Sequence, residues 1–295
     1  MRIVRAAVVL LAVLLLAAFA FAKLTSDSGP VASTPGFGQG LSNVAVSTST
    51  KIRLSPDSTK VALVESGVVT VVRSRDGARV MAAGKNIVDV AWMPDGNRVI
   101  VVEGPIPTGE IDAIDMTGKR AGVAKLKAPI GFGDGFGLAV DSRGTQAAAI
   151  AVTRDPIGGA RHTDLAVVEL QTGAVRIFES PTEERNPTFV DDENVAYLAG
   201  SVLFQRELGD GRLTKIDQGF ADGPFVAGPD GELALWADDA AQGLVGIDTT
   251  ARKRRALRVL PQGHIPVDVD AHLTRALVRV TDRDGTVHLS FDSLA

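Results

Sequence analysis

The sequence predicts an all-β protein: a six-bladed β-propeller closed by an N-terminal strand and preceded by a signal peptide. Three observations predict it. A turn flanked by strand patterns recurs along the chain at a mean spacing of 43 residues. Each copy carries short β-branched runs bounded by Gly, Asp or Pro. The last copy is one strand short, and a strand-like segment stands unused ahead of the first.

The recurring turn is clearest at Leu54–Val64, LSPDSTKVALV. Related segments are MPDGNRVIVV at 93–102, VDSRGTQAAAIA at 140–151 and VDDENVAYL at 190–198. Two more follow, GPDGELALWA at 228–237 and DAHLTRALV at 270–278. The third turn residues are Asp57, Asp95, Arg143, Asp191, Asp230 and His272, at intervals of 38, 48, 48, 39 and 42. A strand-rich period of about 40–45 residues is that of propeller blades. Pro56, Pro94 and Pro229 sit in the turn, where a missing N–H costs no ladder hydrogen bond.

After the second strand of a copy come a break, a third strand, a tight turn and a fourth strand. In the first copy these read VALVES, VVTVVRS, RDG and ARVMAA; in the second, RVIVVE, EIDAIDM, TGK and RAGVAKL. Radial repetition of four-stranded antiparallel units leaves only short, protected edges. The sixth copy offers IPVDVDA, TRALVRVT and TVHLSFDS and lacks a fourth strand. Asn43–Ser47, NVAVS, is expected to pair with 287–291 and close the ring, because an open ring leaves two edges free for other chains.

Composition narrows the class. The chain has 295 residues, 5% aromatics and no cysteine, with 31 Lys plus Arg against 35 Asp plus Glu. An acidic body gives no footprint for a phosphate backbone, so nucleic acid is not an expected partner. Disulfides, thiolate metal sites and lipid attachment at an N-terminal cysteine are excluded. Arg2 and Arg5 precede the apolar run 6–22, which ends Ala20-Phe21-Ala22. This reads as a secretory signal, the alternative being an uncleaved anchor at the lower length limit for a span. Both place the body outside the cytoplasm, periplasmic, in the cell envelope or secreted. The expected organisation is 1–22 signal or anchor, 23–42 a Ser/Thr/Pro/Gly-rich linker and 43–295 the propeller, a monomer.

Ser55-Pro56-Asp57 with Val61-Ala62, Pro94-Asp95-Gly96 with Val99, and Pro229-Asp230-Gly231 resemble the WD40-like PD40 repeat. That repeat occurs in TolB-like propellers, in peptidase propellers and in exported actinobacterial propellers such as that of lipoprotein LpqB. The resemblance implies the fold and is nearly silent on function. The Pro-Asp pair stands in only three of the six copies, and no lipid-bearing cysteine is present. No preceding domain fits in 23–42, and no hydrolase domain is expected after the propeller.

Loops joining strands one to two and three to four lie on one face of such a disk and are tight here. On the other face, GPIPTG at 104–109, TRDPIGGARHT at 153–163 and KAPIGFGDG at 127–135 are long and belong to blades two and three. Long loops on a rigid scaffold carry binding residues. The candidate ligand surface is therefore Phe132, Asp134, Arg154, Asp155, Arg161 and His162. The four histidines lack the spacing of a zinc site. Asp282–Gly285 and Arg252–Arg255 read as hairpin turns, and Gly131–Gly137 as a flexible connector. No nucleophile elbow, nucleophile–base pair or compact carboxylate pair is present, and no cofactor is expected.

The reading is an exported binding module that engages an envelope protein, peptide or wall component. Its alternatives are an extracytoplasmic hydrolase or lactonase with a channel-bound divalent metal, and an accessory protein of a membrane sensor.

Overall fold

The short valine- and alanine-rich runs form strands because they can bury both faces. Strands β1 (Lys51–Leu54), β2 (Lys60–Glu65), β3 (Val68–Arg73) and β4 (Arg79–Ala83) make one antiparallel sheet in chain order. The second is β5 (Ile87–Trp92), β6 (Arg98–Glu103), β7 (Glu110–Asp115) and β8 (Arg120–Lys125). The third joins β10 (Leu138–Val140), β11 (Gln146–Arg154), β12 (Arg161–Glu169) and β13 (Val175–Phe178), with β9 (Gly131–Phe132) also pairing β11. The fourth is β14 (Glu184–Phe189), β15 (Asn194–Ala199), β16 (Val202–Glu207) and β17 (Leu213–Gln218). The fifth is β18 (Val226–Ala227), β19 (Glu232–Trp236), β20 (Gly243–Asp248) and β21 (Lys253–Val259). The sixth has three strands, β22 (His264–Val269), β23 (Arg275–Thr281) and β24 (Val287–Ser293).

This is a six-bladed β-propeller. The structure, a computed structural model, describes residues 41–294 except 105–109, 126–130, 133–136, 155–160, 180–182, 222–224, 229–230 and 237–242. The side chains of 110, 123–125, 131–132, 153–154 and 161–162 also lie outside that description. So do the signal or anchor at 1–22 and the linker up to residue 40.

Alternation along each strand feeds two different cores. Ala62 and Val64 of β2 pack with Ile87, Val90 and Val99 of the second blade. Val61 and Leu63 of the same strand pack the other way, with Val267, Leu277 and Leu289 of the sixth. Equivalent cores fill the other four gaps between neighbouring blades. Middle strands are therefore buried on both faces and apolar throughout, whereas the outer strand β21 is exposed over its first four residues.

The repeated turn is held by side-chain oxygen. Asp57 Oδ1 accepts from Thr59 N (3.1 Å), Asp95 Oδ1 from Asn97 N (2.9 Å) and Asp191 Oδ1 from Glu193 N (2.8 Å). Blades three and six move the acid to the first turn position. Asp141 Oδ1 accepts from Gln146 N (2.8 Å) and Asp270 Oδ1 from Arg275 N (2.9 Å), as Ser55 Oγ does from Lys60 N (2.9 Å). That substitution explains why the Pro-Asp pair is missing from those two copies.

Three expectations change. Asn43–Ser47 does not form a full strand: Ala45 makes one isolated antiparallel bridge to His288, and Val46 N donates to Val287 O at 3.3 Å. A 3-10 turn at Leu41–Asn43 precedes it and packs on β24, so side-chain burial adds to the short backbone contact. Leu41 (0% exposed) and Val46 are buried in the core between blades six and one. Gly131–Gly137 is not merely a connector, since Phe132 and Gly131 pair with Ala151 and Val152. The basic run 252–255 is a turn only at Arg252; Arg254 and Arg255 lie in β21 and pair with Asp217 and Glu232.

Candidate functional site

The first strand of each blade lines the axis, and the charges there come from three neighbouring blades. The period of two in β1 sends Ile52 and Leu54 into the core and leaves Lys51 and Arg53 on the axial side. The flanking inner strands each carry an acid beside a bulge: the register of β5 shifts between Ile87 and Asp89, and that of β22 between Pro266 and Asp268. A bulge re-aims the side chain next to it.

Both acids are buried and tied down by N–H groups. Asp268 Oδ2 accepts from Leu54 N of blade one at 2.7 Å, and its Oδ1 from Val269 N at 2.8 Å. Asp89 Oδ1 accepts from Val90 N at 2.8 Å and lies 4.0 Å from Arg53 Nη2. Burial pushes the Asp268 carboxyl up to about 6, against the opposing pull of Arg53 and the N–H groups of Leu54 and Val269. Burial likewise raises the Asp89 carboxyl, opposed by Arg53, Val90 N–H, Lys51 and Gly137 N–H. Gly137 is itself crowded from the other side: at φ +96° a Cβ would stand 2.9 Å from Asn186 Cα of the next blade.

These residues border a cavity of about 920 Å³ at the channel mouth. Its lining divides by chemistry. Blade one and the segment before it give Thr48, Ser49, Thr50, Lys51 and Arg53, while Trp236, Leu244, Ile265 and Pro266 make an apolar side. Arg279 of β23 completes the rim and donates to Thr48 O (2.8 Å) and Thr50 O (2.5 Å), fixing the chain that enters β1. Among the described residues no group of three or more His, Asp or Glu is arranged to hold a metal ion.

The candidate ligand surface falls elsewhere on the ring. Arg154 and Arg161 face each other in register at the tip end of the β11–β12 hairpin, with Thr153 opposite His162 and Phe132 opposite Ala151. Asp134 and Asp155 lie outside the described residues, as do the side chains of the other four. That hairpin joins a second strand to a third, as does the connection between Trp236 and Leu244. Hairpin and cavity therefore open on the same face. Sequence reasoning missed Lys51, Arg53, Asp89, Asp268 and Trp236. A signal was present in the Val-Asp-Val triplets at 88–90 and 267–269, acids inside otherwise apolar inner strands.

No family model matches the chain, and no curated protein does. Among solved structures it is similar to an oligogalacturonate lyase in complex with manganese, with TM-score 0.59 and 14% identity over 83% of this chain and 73% of that one. A putative TolB from Agrobacterium tumefaciens gives TM-score 0.56 and 13% identity, covering 83% and 89%. Kuenenia stuttgartiensis hydrazine synthase gives 0.55 and 13%, covering 83% and 84%. At these identities the similarity shows the propeller fold alone, and a fold does not fix a function.

Proposed function

We propose that this protein is an exported binding module of the cell envelope, a propeller of the WD40-like PD40 type without catalysis of its own. It captures an envelope protein, peptide or wall component on the face that carries the channel mouth and the long loops of blades two and three. The observation that carries this reading is the cavity of about 920 Å³ with separate charged and apolar sides. A concave site with a few converging polar groups is the default place for a ligand. The nine-residue strands β11 and β12 project a hairpin from the same face and would extend the contact. The segment 41–50 acts as the latch of the ring, through Leu41, Val46 and the Arg279 clamp.

Affinity capture from envelope extracts tests the reading. Wild-type protein should retain a partner that Ile265→Glu and the triple alanine variant at Arg154, Arg161 and His162 each lose. Equal capture by both variants would remove the face from consideration. Stoichiometric divalent metal in the purified protein would move the assignment to the hydrolase or lactonase alternative. Recovery of a membrane kinase would favour the accessory role. N-terminal sequencing of exported protein checks the signal: a start near residue 23 is expected, and retention of Met1 means an anchor.

A further inference from the structure

Three features of the channel mouth point to one ligand chemistry. The first is charge. The cavity lining carries Lys51, Arg53 and Arg279 against Asp89 and Asp268, a local positive excess on a chain of formal net charge −4. Two of the three cations are engaged. Arg53 stands by Asp89 and Asp268, and the Arg279 guanidinium is held by the Thr48 and Thr50 carbonyls. The Lys51 side chain has no hydrogen bond or ion pair among the described residues, and its charge acts on Asp89 from a distance.

The second feature is the apolar side. Ile265 lies in an inner strand yet is 54% exposed, and it shares the cavity with Trp236 and Leu244. An exposed aliphatic side chain inside a concavity gains most when a second apolar group covers it. The third is backbone. β1 and β22 are end strands of their sheets, so their axial edges have no neighbouring strand. Leu54 N and Val269 N are taken by Asp268, and the remaining edge groups toward the mouth are those an extended chain could meet.

We infer that the cavity takes the C-terminus of a peptide. Lys51 holds the α-carboxylate, and an apolar last side chain seats against Trp236, Leu244 and Ile265. A chain end suits the site because it brings the anion and the apolar group on one residue, matching one open cation beside one apolar wall. This deepens the channel-mouth reading and rests on it.

Calorimetric titration of the whole exported chain with three peptides tests the inference. They are acetyl-Ala-Leu-Leu as the free acid, its C-terminal amide, and acetyl-Ala-Asp-Leu-amide, which carries its carboxylate on a side chain. The free acid should bind about ten-fold more tightly than either amide, the scale of one charge-assisted contact. Its affinity should fall as salt rises. Lys51→Gln should bring the acid down to the level of the amide and leave the amide unchanged, with wild-type melting as the check on folding. Equal binding of acid and amide, or an Asp-bearing amide as tight as the acid, overturns the α-carboxylate assignment. Absence of binding by all three overturns it as well. If envelope capture is then still lost in Ile265→Glu, the channel-mouth reading survives without it.

Discussion

Asp268 carries the clearest pH signature of any single residue. Its folded value, about 6, stands above the ordinary 3.8 because burial penalises the charged form. Between those values the native state holds a proton that the unfolded chain has released. The stability from this group is full below pH 3.8 and is lost as pH rises through about 6, a loss of about 3 kcal/mol. Asp89 adds in the same direction. The turn acids Asp57 and Asp95 act oppositely: N–H and hydroxyl donors outweigh their burial and hold them below the usual range, so their contribution is lost on acidification. Urea midpoints of wild type should therefore fall from pH 4 to pH 6, and Asp268→Asn should flatten that slope. Parallel profiles would refute the assignment. Gly137→Ala tests the crowding of the inner strands. Its Cβ would meet backbone of the next blade at φ +96°, so a loss of about 2 kcal/mol in chemical denaturation is expected. Little of this was legible beforehand. The Pro-Asp turns could be read from three copies, but the equivalence of Asp141…Thr145 and Asp270…Thr274 needed the hydrogen bonds.

Among the elements, the segment ahead of β1 departs most from its sequence pattern. Alternation in NVAVS reads as a strand, yet a single bridge to β24 is made, and the turn at Leu41–Asn43 packs on the same strand through Leu41. Its value lies in side-chain burial, so Leu41→Ala should cost about 3 kcal/mol, as removing a fully buried leucine does. Deleting 41–48 should lower the melting temperature of the whole domain; an unchanged value would show that the ring does not need it. The other strands were legible because each middle strand is packed on both faces and must be apolar along its length. β9 escaped notice because two residues are too short for any periodicity to register.

For the whole molecule, six cores between adjacent blades make a closed cycle with no independent end. Trp92, between blades one and two, and Trp236, beside blades five and six, should report one unfolding transition in single-tryptophan variants. In the 41–48 deletion the two should separate, as in an open repeat array. The face of the disk that holds the candidate site was readable from loop lengths. The cavity was not, because Asp268 stands in the last copy while Lys51 and Asp89 stand in the first two, and a repeat pattern does not show how inner-strand side chains meet across the closure. Arg53 has one more consequence. Replaced by Met, it would leave Asp89 and Asp268 without their shared cation, and Asp268, already near 6, would keep its proton at neutral pH. One positive charge departs and one proton stays, so the channel buffers its own charge. Potentiometric titration of Arg53→Met should register about one additional bound proton at pH 7.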